Sequence, residues 1–281
     1  MSAGFGERVR AGILARGPLC VGIDPHPSLL TAWGLTDDAA GVREFGLRAV
    51  DAVAGRVALV KPQVSFFERF GAAGFAALED VLAAARDVGL LVIADAKRGD
   101  IGSTMDAYAA AWLTPGSPLE ADALTVNPYL GVGALDGAVA LATAHGKGLF
   151  VLAATSNPEA QTLQRSTGPS GATVAADVIA EVSARNAVAV SDGEWGSAGF
   201  VIGATVSWTD AAIAAFTPPA PILAPGFGAQ GAQPNELKGR FGSMAFCVIA
   251  SESRSILAAG PTSLGDAVAA RVIEYQEGLH G

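Results

Sequence analysis

Asp95-Ala96-Lys97-Arg98-Gly99-Asp100 places acid, base and acid directly after the apolar run Gly89-Leu90-Leu91-Val92-Ile93-Ala94. A buried strand ending in such charges is costly unless they neutralise one another or serve a reaction. A salt-bridge cluster accounts for the hexapeptide alone as well as catalysis does. Lys61 and Asp24 stand at the ends of two further apolar runs. Lysines alternating with aspartates stay protonated, which disfavours Schiff-base chemistry. The set suits a general acid, or a fixed positive charge facing a developing carbanion. Farther along, Pro225-Gly226-Phe227-Gly228-Ala229-Gln230-Gly231 precedes Ser251-Glu252-Ser253-Arg254. A glycine-rich loop admits close backbone N–H groups, and an arginine can grip a phosphate dianion in bidentate fashion. Taken singly, those glycines are turn residues and Lys61 is a snorkelling strand-end lysine.

The elements that must position these residues are short apolar runs alternating with helix-like segments. Strands are expected over residues 19–24, 57–62, 89–95, 123–127, 148–153, 198–203, 222–225 and 245–251. Their near-continuous apolar character fits a parallel sheet covered on both faces. Met105, Tyr108, Ala109 and Trp112 fall at helical spacing, and Ser103 with Asp106 resembles a capping box opening that helix. Eight β–α units in this length predict a (β/α)8 TIM barrel, α/β in class, as one domain over residues 1–281. A doubly wound open sheet is the competitor, but no Gly-x-Gly-x-x-Gly follows the first strand. Residues 166–171 read as a loop in an extended connection, with a helix following through roughly Ala189. In a barrel the strand ends converge on one mouth, and loops seven and eight form the usual phosphate site.

Composition narrows the partners. A hydrophobic fraction of 51% and a net charge of −9 describe a folded acidic protein, with no reason to expect nucleic acid or an anionic membrane surface. Cys20 and Cys247 lie in apolar runs and match no metal spacing, so reduced core thiols in a cytoplasmic protein are expected. The N-terminus has no signal-peptide core, no run is long enough to span a membrane, and the histidines, His26, His145 and His280, are scattered. No metal site is expected.

Asp95-x-Lys97-x-x-Asp100-Ile101-x-x-Thr104 resembles the signature of the orotidine 5′-phosphate decarboxylase family. Val21–Pro27, Lys61-Pro62-Gln63, Thr125–Gly131, Thr155–Pro158 and Pro225–Gly231 are similar to its bacterial type 2 subgroup. The resemblance implies cofactor-free decarboxylation of orotidine 5′-phosphate to UMP. It implies Lys97 as proton donor to C6, Asp95 beside the departing CO2, and Lys61 and Asp24 at the ribose. Ser156 would face the pyrimidine edge, Asn127 at the end of the fourth strand is a further candidate for substrate binding, and Gln230 and Arg254 would close on the phosphate. Asp100, Ile101 and Thr104 would complete the neighbouring site of a homodimer. Glu252 and Ser255 depart from the pattern, which has a small residue and a glycine there; a carboxylate at position 252 should weaken phosphate binding unless it points away or pairs with a base. The alternatives are a magnesium-dependent relative resembling 3-keto-L-gulonate 6-phosphate decarboxylase, and a non-catalytic barrel that binds phosphorylated nucleotides. Lys61 stands where the magnesium enzymes are expected to place a carboxylate, and an amine is a poor ligand for a hard cation.

Overall fold

Eight parallel strands pair in chain order and close on themselves in the computed structural model, which describes residues 3–280. They are β1 (Leu19–Ile23), β2 (Leu59–Pro62), β3 (Leu91–Arg98), β4 (Ala123–Val126), β5 (Gly148–Ala154), β6 (Ala198–Ile202), β7 (Ile222–Pro225) and β8 (Val248–Glu252). The expected barrel is the fold observed; Met1, Ser2 and Gly281, at the ends of the expected domain, lie outside the described residues. Strands β1, β2, β4, β6 and β8 are buried along their whole length, because side chains fill the barrel on one face and helices cover the other.

The main helices are α1 (Phe5–Arg16), α2 (Ala39–Val53), α3 (Gly71–Asp87), α4 (Gly102–Leu113), α5 (Asp136–Ala144), α6 (Val174–Ala189), α7 (Leu237–Phe241) and α8 (Leu264–His280). Helix α2 is opened by Asp38, whose side chain accepts from the Gly41 N–H at 2.8 Å, and it buries Val42, Phe45, Ala49, Val50 and Val53. Helix α1 precedes the first strand and lies at the N-terminal end of the barrel, its Phe5 ring meeting Phe150 edge-on at 5.8 Å.

Three expectations need correction. The sixth unit has no helix: residues 203–221 run irregularly, since Pro218, Pro219 and Pro221 deny the backbone its donors, and Phe216 packs on Phe200 in a helix's place. The eighth strand starts at Val248 rather than Ala245, because Gly242–Cys247 winds into a 3-10 helix; a short apolar run does not declare its period. Ser103 and Asp106 form no capping box. Helix α4 has Ile101 at its N-cap with no side-chain cap, although Met105, Ala109 and Trp112 are buried as the spacing requires. The helix expected to end near Ala189 does so.

Gly148 opens β5 where the Phe5 ring lies against the backbone, and a Cβ there would collide with that ring. Gly148→Ala is therefore expected to lift α1 and cost about 1–3 kcal/mol, read as a lower urea midpoint at unchanged slope.

Candidate active site

The C-terminal strand ends open into a cavity of about 880 Å³. At its floor, the penultimate residue of β2, Lys61, donates from Nζ to Asp95 Oδ2 at 2.9 Å, and Lys97 Nζ donates to Asp95 Oδ1 at 2.5 Å. Each oxygen of one carboxylate thus holds a different ammonium. The side chains of Lys61 and Asp95 are 7% and 9% exposed, whereas that of Lys97 is 46% exposed and lines the open space. Both cations line the cavity, and Lys97 is the more open of the two.

A local irregularity sets this geometry. The pairing of β3 with β4 shifts register between Ala94 and Arg98, and Lys97 sits at φ +49°, a left-handed conformation that costs a non-glycine residue about 1–2 kcal/mol. Thr125, buried on β4, steadies the distortion. Its Oγ1 accepts from the Lys97 N–H at 2.9 Å and donates to Asp95 Oδ1 at 3.0 Å. Sequence reasoning did not single out Thr125, nor Gln63, whose Oε1 lies 3.4 Å from Lys61 Nζ. Both stand in the quoted motifs, but only the barrel register turns them toward Asp95.

Burial by itself would push the Asp95 carboxyl up, but the Lys61 and Lys97 charges outweigh it and hold the group well below the usual carboxylate range. Burial likewise opposes the Lys61 ammonium, yet Asp95 and Asp24 keep its pKa above the ordinary lysine value. Both lysine partners therefore face a permanent anion at neutral pH. Burial also pushes the Cys20 thiol beneath them up to about 12, making it a poor nucleophile.

Asp24 follows β1; its Oδ2 accepts from Ser253 Oγ at 2.7 Å, while Oδ1 is buried without a partner and can accept from a ligand hydroxyl. Asn127 and Ser156 line the cavity beyond β4 and β5, and Gln230 and Arg254 line it beyond β7 and β8. The connection between β5 and α6 forms another wall through Ala160, Leu163 and Gln164, and Gln164 is tied back to Thr155 by bonds of 2.8 and 3.0 Å. Asp100, Ile101 and Thr104 do not line this cavity: Asp100 Oδ1 accepts from the next N–H, and Ile101 is 61% exposed. Glu252 turns away from the mouth and pairs with Arg271 at 3.4 Å, so it adds no charge to the cavity beside Gln230 and Arg254. Among the described residues no cluster of His, Cys, Asp and Glu could hold a metal ion.

Fold and site together define a class: barrel proteins with a lysine–carboxylate centre on one side of the mouth and a glycine-rich loop with an arginine on the other. The family model described as orotidine 5′-phosphate decarboxylase / HUMPS family matches residues 17–263, and the chain belongs to that family. It is 53% identical over 257 residues to an orotidine 5′-phosphate decarboxylase of Salinispora tropica, covering 92% of this chain and 91% of the relative. It is 51% identical over 257 residues to one of Streptomyces coelicolor, again covering 92% and 91%. A crystal structure of a Streptomyces avermitilis relative superposes with a TM-score of 0.94 at 48% identity, covering 100% of this chain and 97% of that one.

Removing Asp95 strands a buried ammonium, so Asp95→Ala is expected to cost about 3–5 kcal/mol in urea unfolding. The depressed Asp95 pKa means that its stabilisation is present above the ordinary aspartate range and is lost as pH falls from about 4 through the folded value. The raised Lys61 pKa gives a contribution that is present below the ordinary lysine range and lost only above it. Stability owed to this pair should therefore be level between roughly pH 5 and 9 and decline below about pH 4, with the acid limb reduced in Asp95→Asn.

Proposed function

We infer that this chain converts orotidine 5′-phosphate to UMP and CO2. The observation that carries the reading is one buried carboxylate bonded by two lysines that both line the cavity, Lys61 nearly buried and Lys97 half-exposed. The substrate phosphate sits between the Gly226–Gly231 loop and Arg254, with Gln230 beside it, and the ribose hydroxyls meet Asp24 and Lys61. This places C6 of the pyrimidine over Lys97, with Asn127 and Ser156 toward the base. The C6–carboxylate bond breaks, CO2 leaves past Asp95, and the electron pair stays on C6. The Lys97 ammonium stabilises that charge across a short distance and then transfers a proton from Nζ to C6. Because Asp95 orients Lys97 beforehand, little reorganisation is needed as the charge develops. The reaction so written uses no cofactor.

Asp100, Ile101 and Thr104 serve the site of a second copy in a homodimer. Their position outside their own chain's cavity supports this, as does the exposure of Ile101, Tyr129 and Leu130 along the same side of the mouth. The protein works in the cytoplasm on a small nucleotide; its two buried free cysteines fit a reducing compartment, and no helix among the described residues is long and apolar enough to cross a membrane.

UMP formation from orotidine 5′-phosphate, with and without a chelator, tests the reading: turnover should be indifferent to the chelator, and a complete loss would favour the magnesium-dependent relatives. Clear UMP binding without turnover would favour the non-catalytic barrel. Lys97→Ala should lower turnover roughly a thousandfold or more with the fold intact; substantial residual activity would remove Lys97 from the proton-donor role. Mixing inactive Lys97→Ala and Asp100→Ala proteins should restore about a quarter of wild-type activity, since half the dimers are hybrids with one intact site. No recovery after verified subunit exchange would count against shared sites.

A further inference from the structure

Glu252 ends β8 at the mouth, yet its side chain is completely buried and directed outward against α8. Its Oε2 accepts from Tyr275 Oη at 3.0 Å, its Oε1 accepts from Ser255 Oγ at 2.6 Å, and Arg271 Nη2 lies 3.4 Å from Oε1. Arg271 and Tyr275 are one turn apart on α8, while Ser255 directly follows Arg254. The same carboxylate underlies the glycine-rich loop: Gly228 has φ +67°, and a Cβ there would collide with Glu252 Oε1 and Ser255 Oγ. The neighbouring Phe227 ring meets the Tyr275 ring edge-on at 5.4 Å. One anion therefore joins the loop after β7, the loop after β8 and the last helix.

A buried charge is no cheaper than a well-packed apolar group, so three donors around Glu252 explain how it is tolerated and not what it accomplishes. Its placement answers the second question. Phe227, Ala229 and Gln230 line the cavity on one side of the contact, and Ser253 and Arg254 line it on the other. We propose that Glu252 is a positioning residue that sets the spacing of the two phosphate-holding loops through Gly228 and Ser255 without touching the ligand. The Arg271 cation offsets its charge, so the substrate dianion meets no added repulsion. The proposal rests on the nucleotide-monophosphate reading of this mouth.

The test compares binding of UMP and of uridine, which lacks the phosphate, to wild type, Glu252→Gln and Tyr275→Phe by calorimetry, alongside kcat/KM for orotidine 5′-phosphate. Tyr275→Phe keeps the ring packing and removes one donor, so at least one variant remains folded; thermal unfolding verifies this. Folded variants should bind UMP about tenfold more weakly while uridine binding stays level, and kcat/KM should fall in step with UMP affinity. A purely structural role would reduce the active fraction and leave the UMP-to-uridine ratio unchanged, and that result overturns the proposal. If wild type prefers UMP to uridine but turns nothing over, and the variants lose the preference, the decarboxylase reading falls and this one stands. Absence of any phosphate preference in wild type overturns it.

Discussion

The Asp95 carboxylate, closed in between two lysine ammoniums, is the interaction on which the rest of the site depends. Alone, Lys61 or Asp95 would be an expensive buried charge; together each offsets the other's desolvation, and the half-exposed Lys97 adds a second cation to the carboxylate. The arrangement leaves Lys97 charged and aimed before any ligand arrives. It also explains why a lysine is held in a left-handed conformation: the β3 distortion points Lys97 Nζ back to the residue two before it, and the Thr125 hydroxyl ties the irregular backbone down. Local strain and charge burial here are two aspects of one construction, in which stability is given up for a fixed cation.

The barrel divides the mouth by chemistry. Strands β1 to β4 bring carboxylates, amines and an amide, while β7 and β8 bring glycines and an arginine. This division suits the proposed ligand, with its anion at one end and its reacting centre at the other. Binding energy gathered at the anion is available to hold the reacting centre against Lys97. The connection after β5 and the start of α6 add apolar lining to the cavity through Leu163 and Val174.

Much of the site was legible along the chain because strand ends in a barrel converge whatever their separation in sequence. Asp24, Lys61, Asp95, Lys97, Asn127, Ser156, Gln230 and Arg254 all line one cavity although they span most of the protein. Thr125 and Gln63 went unremarked because their types carry no chemical signal; only the pairing of β3 with β4 on one side and with the end of β2 on the other brings them beside Asp95. Glu252 read as a possible hindrance to phosphate binding because a sequence does not show which way a strand-end side chain turns. The missing sixth helix and the late start of β8 have a common origin, since short apolar or proline-rich stretches are assigned by what packs on them.

By itself the sequence determined the order of the strands, the burial of their residues and the set of charged groups presented at their ends. Those follow from apolar runs, turn residues and the handedness of parallel β–α connections, all of which are local or generic. Tertiary structure decided which of two lysines stays in the open, that Asp100, Ile101 and Thr104 stand outside their own cavity, and that Glu252 looks toward α8 instead of the mouth. Each of these is a matter of direction. Side-chain direction depends on bulges, register and neighbouring helices, which bring together residues hundreds of positions apart and leave no periodic trace in the chain.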